Sequence, residues 1–312
     1  MPAMCRRSTS APLFESYFMS MHSHATINYP EYTWPASKSC AVVFSLDLDA
    51  ESPFLWMSRG QEIKHLGEIE QRRFGPRQGL ARVARLFEEY DIKGSFYVPG
   101  VVAETYPDLL PFLVEGGHEV AHHGYFHERI EAIAPAQAEE YLVRAQELFH
   151  VQTGLKGLGH RAPSWEMTPE FLSVLQRHGV SYDSSLMGFD HPYEVEGLIE
   201  LPVQWTVDDA LYFRYTNSAR DKTHPANPAA VLESWIEEFE GMRECGGLFM
   251  VTIHDWISGR AQRIRMLRKL IEHIRRCPDV WWTRADELAA WHGSSINSKR
   301  FLVPAQSIDT HF

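Results

Sequence analysis

The sequence is short of cysteine, of long apolar runs and of positive charge. Its four cysteines, Cys5, Cys40, Cys245 and Cys277, lie far apart with no CxxC pair, so a zinc ribbon or a redox dithiol has no sequence support. No apolar run reaches the ~18 residues that span a bilayer, and the first twenty residues lack the apolar core of a secretory signal. These absences predict a cytoplasmic protein that does not enter membranes.

The charge balance excludes another class of partner. Thirty Lys and Arg residues stand against 41 Asp and Glu residues, which gives a formal net charge of -11. Proteins that bind phosphate backbones carry basic surfaces, so nucleic acid is not an expected partner. Of the 312 residues, 44% are hydrophobic and 23% are charged, a balance that lets one large α/β domain or two medium ones bury a core. One domain is preferred, because no Gly/Ser-rich or Pro-rich linker divides the chain.

What is present is an alternation of strand and helix patterns along most of the chain. Short runs rich in β-branched and aromatic residues, such as 40–46 and 248–253, predict buried strands. Amphipathic segments, such as 78–90 and 136–151, predict helices between them. This order is typical of a parallel sheet, either a barrel or an open doubly wound sheet.

Two segments are longer than ordinary connections and carry weak structure signals. Residues 51–76 and 204–228 are therefore predicted to be loops that cover or wall a binding site. Trp56 lies in the first of them and is a candidate pocket-lining residue. Packing of that loop against the domain is the alternative explanation for this tryptophan.

One stretch, HEVAHHGYFHE at 118–128, begins with the HExxH pattern of zinc peptidases. The pattern is formed by His118, Glu119 and His122, and in a peptidase it lies on a helix so that both imidazoles point the same way. Glycines on both sides leave room for barely two helical turns, and no third ligand follows. The peptidase interpretation is therefore disfavoured.

The same stretch contains a second metal pattern. His123 and His127 are four residues apart just after a predicted strand, and they can converge on one ion if the chain turns there. Asp47 and Asp49 end the first predicted strand, where alternation sends both carboxylates to the same side. One of them can bind metal while its neighbour takes a proton. Two histidines and one carboxylate with an open fourth position form a catalytic zinc-type set.

Two more motifs follow predicted strands, GHRAPSW at 159–165 and TIHDWISGR at 252–260. Arg161 can orient a carboxylate through paired hydrogen bonds, Trp165 can wall a pocket, and His254 can act as a general acid. Taken alone, each residue is more often explained by ordinary packing or solvent exposure. Their shared position after strands favours function, because the carboxyl ends of parallel strands form the functional face.

Taken together and in order, SLDLDAE, HGYFH, RAPSW and VTIH resemble the motifs of the polysaccharide deacetylase, or NodB-homology, family over residues 34–291. The resemblance implies an α/β fold with a single-domain distorted (β/α) barrel of about seven parallel strands and a divalent metal. The barrel would occupy 31–292, between a weakly structured arm at 1–30 and a tail at 293–312. The DxDAE form is similar to an intracellular branch related to cyclic imide hydrolases and peptidoglycan-deacetylase-like proteins, whose members form homo-oligomers.

The resemblance also implies a role for each matching residue. The set comprises a metal triad of Asp49, His123 and His127, the base Asp47 held by Arg161, and the acid His254. Trp165 would line the pocket, and the backbone N–H near Ser164 would contact the developing oxyanion. One departure is that Leu48 separates the two aspartates, which are adjacent in the common form of the first motif. The ligand types suit Zn²⁺ first and also admit Co²⁺, Ni²⁺ or Mn²⁺.

The expected function is hydrolysis of non-peptide C–N bonds, with a small cyclic imide or amide as substrate. The alternative substrate is an N-acetylglucosamine-containing saccharide or peptidoglycan, which the enzyme would deacetylate. A non-catalytic binding or scaffold protein is the alternative from another class. The complete set of acidic, imidazole and guanidinium groups argues against it.

Overall fold

The computed structural model describes residues 31–64, 66–216 and 225–303. The strands in these ranges are β1 (Cys40–Asp47), β2 (Ser95–Val98), β3 (Glu119–His122), β4 (Tyr193–Val195), β5 (Leu198–Glu200), β6 (Leu248–His254), β7 (Val280–Trp282) and β8 (Leu302–Val303). The α-helices are α1 (Ser52–Met57), α2 (Gly67–Phe74), α3 (Leu80–Glu89), α4 (Gly100–Thr105), α5 (Leu109–Glu115), α6 (Pro135–Thr153), α7 (Pro169–Arg177), α8 (Asp209–Phe213), α9 (Pro228–Cys245), α10 (Asp255–Ser258), α11 (Ala261–Ile274) and α12 (Ala285–Ser294). A π-helical turn, Gly75–Gly79, joins α2 to α3.

β1 is the centre of a five-stranded parallel sheet. It pairs with β2, β6 and β7, and β2 pairs in turn with β3. The register sets Asp47 at the end of β1 opposite His254 on β6 and Tyr97 on β2. The last residues of β1 and β6 therefore lie side by side at one edge of the sheet.

Beyond β3 the sheet continues through single residues instead of full strands. Parallel bridges join His122 to His160, His160 to Asp183, and Asp183 to Glu200 in β5. On the other side, Asp208 forms a parallel bridge to Thr252 in β6. The curved parallel sheet, covered by helices, confirms the predicted distorted barrel of one domain.

Alternation along the strands separates the barrel interior from the layer beneath the helices. On β1, Ala41 and Val43 face an inner cluster that also contains Tyr97. Val42 and Phe44 face the opposite way, into the larger apolar cluster that packs against the helices. All four β1 side chains are buried, which is why this strand is apolar on both faces.

The segment 51–76, predicted to be a loop, contains α1 and α2, so that prediction is wrong. Helix α2 is polar, with Glu68 and Glu70 in its first turn and Arg72 and Arg73 in its last. These charges complement the helix dipole, but they obscure the apolar period that predicts a helix from sequence. The segment 204–228 likewise contains α8, and residues 217–224 lie outside the described ranges.

The predictions for the two ends of the chain have different outcomes. The predicted arm, 1–30, lies outside the described residues, so its boundary stays a prediction. The described part of the predicted tail is structured: β8 pairs in parallel with β4, and Phe301 just before it is fully buried. None of the helices in the described ranges combines the length and apolar character needed to cross a bilayer.

Candidate active site

Asp49, His123 and His127 meet just beyond the carboxyl ends of β1 and β3. Their candidate ligand atoms, one from each residue, all lie within 4.8 Å of one another. Nε2 of His123 is 3.5 Å from Oδ1 of Asp49, and Nε2 of His127 is 3.5 Å from Oδ2. Nδ1 of His123 donates to the carbonyl of Arg161 at 2.8 Å, which fixes the ring with Nε2 toward the carboxylate.

The electrostatics of these three residues suit a cation. Burial lowers the pKa of His123 to about 4, so its ring is neutral and able to coordinate a metal. Burial disfavours the charged form of Asp49, yet His127, His254 and His123 together hold the pKa of Asp49 well below its usual range. Oδ1 of Asp49 is buried, and no residue in the described ranges gives it a hydrogen bond. Two imidazoles and one such carboxylate fit a zinc-type ion.

Asp47 lies beside this triad at the end of β1 and is 2% exposed. Its Oδ1 accepts a hydrogen bond from Nη1 of Arg161 at 2.7 Å. Its Oδ2 is 3.8 Å from Nε2 of His123. One oxygen is therefore held by a guanidinium while the other faces the metal triad, which is the orientation that a base at this site needs.

Arg161 is fully buried and is held on several sides. Its Nε donates to the carbonyl of Ser184 at 3.1 Å, and its Nη2 donates to the hydroxyl of Ser184 at 3.0 Å. Its guanidinium carbon lies 3.8 Å from the centre of the Tyr97 ring. Burial opposes the charge of Arg161, but Asp47 and Tyr97 outweigh it and raise the pKa above the ordinary value. The fixed cation can therefore hold Asp47 in one position.

His254 ends β6 on the other side of the triad. Its Nδ1 is hydrogen-bonded to Oδ1 of Asp209 at 2.7 Å, and its backbone N–H donates to Oδ2 at 2.9 Å. Burial lowers the pKa of His254, but the charge and hydrogen bond of Asp209 outweigh this effect and hold it well above the ordinary value. Nε2 lies 3.8 Å from Oδ2 of Asp49. A protonated imidazole thus faces the triad.

Sequence reasoning missed Asp208 and Asp209. Asp208 caps α8 by accepting from the N–H of Ala210 at 2.7 Å, and burial raises its pKa to about 7. Asp208, Asp209 and His254 form a second group of candidate metal ligands. The direct Asp209–His254 hydrogen bond instead favours a carboxylate that orients the imidazole. The only signal in the sequence is an acidic pair at the start of a short helix, within a segment predicted to be a loop.

A cavity of about 160 Å³ opens onto these groups. Besides the triad, Asp47, Asp208 and His254, its walls include Arg72, Ser164, Trp165, Trp205, Arg214 and Trp256. The rings of Trp165 and Trp205 lie 4.3 Å apart. Trp56 is not among the cavity-lining residues. Its ring stacks on Phe126 with centroids 6.1 Å apart, the packing alternative left open by the sequence.

Left-handed backbone conformations cluster around the cavity. Ala50, His127, Ser164 and Trp165 have φ values of 46°, 62°, 62° and 58°. Positive φ is uncommon for residues other than glycine, and such conformations are often found at functional sites. Here they turn the chain directly after Asp49, at a triad histidine and along the wall that carries Ser164.

The HExxH residues do not form a metal site. Glu119 and His122 lie on strand β3 and not on a helix. Nδ1 of His118 accepts from the N–H of Gly94 at 3.1 Å, and Glu119 accepts from the hydroxyl of Tyr182 at 2.5 Å inside the barrel. The ring of His122 packs against Phe149 instead, so the three side chains do not converge as the peptidase interpretation would require.

Comparison with known proteins gives consistent matches. A family model for polysaccharide deacetylases matches residues 74–182. A peptidoglycan deacetylase from Helicobacter pylori is 29% identical over 81% of this chain and 96% of its own length. A peptidoglycan deacetylase-like protein from Gibberella zeae is 24% identical over 86% of this chain and 90% of its own length.

Solved structures agree with the observed fold. The crystal structure of a Mycobacterium smegmatis protein assigned as a polysaccharide deacetylase has a TM-score of 0.77 and 33% identity, and it covers 84% of this chain and 94% of that one. An allantoinase has a TM-score of 0.74 at 21% identity, covering 86% and 95% of the two chains. The second likeness concerns the fold alone.

Proposed function

Because this chain belongs to the polysaccharide deacetylase family and is a hydrolase of carbon–nitrogen bonds other than peptide bonds, we propose that it is a metal-dependent enzyme that opens a small cyclic imide or amide. The observation that carries this proposal is the convergence of three kinds of group on one cavity. They are a metal triad, a carboxylate held by arginine, and an imidazole held by aspartate.

Asp49, His123 and His127 would hold the ion. A divalent cation bound there acts as a Lewis acid toward the substrate carbonyl and lowers the pKa of water. The ligand types favour Zn²⁺ and admit Co²⁺, Ni²⁺ or Mn²⁺. His123 is already oriented for this role by its bond to the carbonyl of Arg161.

Asp47 is the base in the proposed mechanism. Its Oδ2 faces the triad and takes the proton of the attacking water, while Arg161 keeps Oδ1 in place. Backbone N–H groups near Ser164, on the strained cavity wall, would contact the oxygen on which negative charge develops.

His254 is the acid that protonates the departing nitrogen. Asp209 holds Nδ1, so the opposite nitrogen, Nε2, faces the cavity side of the imidazole. The raised pKa of His254 keeps this proton available at neutral pH. Base and acid therefore flank the triad from β1 and β6, the two strands whose last residues are paired.

The size of the cavity supports a small ring as substrate. Its volume of about 160 Å³ is below the several hundred Å³ typical of sites for drug-sized ligands. Trp165 and Trp205 offer flat apolar surfaces to a planar ring. The test is ring opening of succinimide, hydantoin and dihydrouracil by protein loaded with each of the four metals. Absence of turnover on all three rings would refute this substrate class.

A second substrate class has its own support. The Helicobacter pylori relative is named a peptidoglycan deacetylase and matches over 96% of its length. N-deacetylation of N-acetylglucosamine units needs the same base, metal and acid, and it is tested by acetate release from N-acetylglucosamine oligomers. Absence of both activities, together with purification of the protein free of any stoichiometric metal, would favour the non-catalytic alternative.

The proposal also places the protein in the cytoplasm and makes it a homo-oligomer. The homo-oligomeric state is carried over from the resemblance to the branch whose members form homo-oligomers. Cell fractionation tests the location, and light scattering on the purified protein measures the subunit count. A strictly monomeric protein would contradict the second part.

A further inference from the structure

Asp208 is a buried carboxyl group on the wall of the catalytic cavity, and the proposed mechanism gives it no part. The residue is 3% exposed and lines the cavity together with Asp47 and His254. Asp47 is the proposed base and His254 is the proposed acid. The imidazole of His254 is hydrogen-bonded to Asp209 and not to Asp208. A further acidic group on this wall therefore needs its own explanation.

Capping of helix α8 uses only one of the two oxygens of Asp208. Oδ1 accepts a hydrogen bond from the N–H of Ala210 at 2.7 Å. No residue in the described ranges donates a hydrogen bond to Oδ2. Asparagine and serine cap helices about as well as aspartate does, and they carry no charge. The cap therefore accounts for Oδ1 but not for an ionisable group with a second oxygen.

The negative charge of Asp208 is unfavourable in these surroundings. Burial raises its pKa to about 7, and the charge of Asp209 acts in the same direction, although the attraction of His254 opposes them. Buried charged groups are normally paired and hydrogen-bonded. An oxygen that lacks a donor, on the wall of a substrate cavity, is available to a hydrogen-bond donor of the substrate, which would offset this cost.

The location of Asp208 indicates which part of the substrate it would contact. Asp208 forms a parallel bridge to Thr252 in β6, two residues before His254. Its Oδ1 lies 3.8 Å from Nδ1 of His254. Asp208 thus lies on the side of the cavity where the acid gives its proton to the departing nitrogen. A donor bound by Oδ2 would therefore belong to the part of the substrate that carries this nitrogen.

We propose that Asp208 is a specificity-determining residue whose Oδ2 accepts a hydrogen bond from a second N–H group of the substrate, on the side of the departing nitrogen. The inference rests on the proposed function, because it narrows the substrate of that same cavity to cyclic ureides. These rings contain an N–H–C(=O)–N–H unit. Hydrolysis breaks the bond between one of these nitrogens and the other ring carbonyl, so the second N–H remains on the departing side. A plain cyclic imide has a methylene group at that position.

Two pairs of rings differ by this group alone. Hydantoin and succinimide have five-membered rings, dihydrouracil and glutarimide have six-membered rings, and in each pair a methylene group of the imide replaces the second N–H of the ureide. Hydrolysis rates and calorimetric binding are measured for all four with zinc-loaded protein at pH 8, where Asp208 is mostly ionised. In at least one pair we expect the ureide to be preferred about tenfold or more, in kcat/KM or in binding affinity.

Asp208→Asn is the decisive variant, because its amide keeps an oxygen for the cap and replaces the free oxygen by an N–H donor. It should lower the preference for the ureide about tenfold or more. A general disturbance of the site or of His254 would slow both rings alike and leave their ratio unchanged. Asp108→Asn is the matched control, since Asp108 is an exposed aspartate at the N-cap of α5, outside the cavity wall. Thermal unfolding is measured for both variants, and if Asp208→Asn does not fold, Asp208→Ser tests the same point.

The outcomes separate this inference from the proposed function. If the preference for the ureide is no greater in the wild type than in the Asp208 variant for either pair, the role of Asp208 is overturned, and hydrolysis of the rings still upholds the proposed function. A preference in binding that depends on Asp208, found in a protein that hydrolyses none of the four rings, upholds the role and refutes the proposed function. Absence of both binding and hydrolysis for all four rings overturns both.

Discussion

His122 and His123 are adjacent in the chain, and their imidazoles lie on opposite faces of the barrel wall. The ring of His122 points outward and packs against Phe149 of α6, with centroids 4.6 Å apart. The ring of His123 points inward, to Asp49 and Asp47. Burial lowers both pKa values, to about 3 for His122 and about 4 for His123. Loss of solvent therefore does not distinguish a ligand from a packed histidine; the facing carboxylates do.

The inward face itself differs from one end to the other. At the amino end of β3, Glu119 accepts hydrogen bonds from the hydroxyl of Tyr182 and from the backbone N–H of Asp286. Just past the carboxyl end of β3, His123 faces Asp47 and Asp49. Both ends bury polar groups. At the amino end of β3 these groups are hydrogen-bonded, whereas at the carboxyl end Oδ1 of Asp49 receives no hydrogen bond from the part of the chain that the structure describes. The open end is where a ligand is expected to bind.

The largest effect is expected when the inward-facing histidines are replaced, and the outward-facing His122 provides the comparison. His123→Ala and His127→Ala should abolish stoichiometric metal and lower turnover by ~1000-fold or more, because each removes a ligand. His122→Ala should keep the metal and most of the activity. Elemental analysis and kinetics measure both. Full activity of a His123→Ala/His127→Ala double variant would refute the proposed site.

A smaller effect is expected when the base alone is changed. Asp47→Asn should retain metal, because Asp47 is outside the triad, and should lose about 100-fold or more in kcat. The substituted amide keeps an oxygen for Arg161 but cannot take the proton. Loss of metal together with activity would instead place Asp47 among the ligands.

Asp209→Asn sharpens the assignment of the acid. Asp209 raises the pKa of His254, so its neutralisation should lower that pKa and move the basic limb of the pH–rate profile to lower pH. A fall in kcat of about 10- to 100-fold is expected at neutral pH. Asp91→Asn, an exposed position, is the control. An unchanged pH profile would argue against His254 as the acid.

The smallest expected effect is on the pH dependence of stability, and it comes from Glu119 at the amino end of β3. Burial, and next the charge of Asp286, raise the pKa of Glu119 to about 7. The folded protein then binds this proton more tightly than the unfolded chain, so stability falls as pH rises from about 4.5 to 7. The stability of Glu119→Gln should not fall over this range, because the variant has no carboxyl group to titrate. The free energy of unfolding of the variant minus that of the wild type should therefore be about 1–3 kcal/mol larger at pH 8 than at pH 4.5. Denaturant unfolding at several pH values tests it, and parallel curves would contradict it.

Much of the site follows from local pattern. Asp47, Asp49, His123 and His127 are placed by the two-residue alternation of strands and by turns just beyond the strand ends, features that the sequence carries within a few residues. Trp56 shows the limit of such reasoning, because an aromatic ring in a long connection packs on Phe126 as readily as it lines a cavity.

The remaining contacts depend on how distant segments come together. Arg161 is 114 residues from Asp47, and Asp209 is 45 residues from His254. No local periodicity relates such positions, and a hydrogen bond forms only when the atoms approach to about 3 Å. The helices at 52–57 and 67–74 were hidden for a similar reason, since their polar composition leaves the apolar period too weak to detect.

The sequence by itself determined the alternation of strands and helices outside the two long segments, the family, and the kinds of donor at the strand ends, because these depend on residue types at short spacing. Only the tertiary structure decided that Asp209 holds His254, that Arg72 and Arg214 share one cavity, and that His122 faces away from it. Those relations depend on the curvature of the barrel and the path of its long segments. Both are properties of the packed chain as a whole.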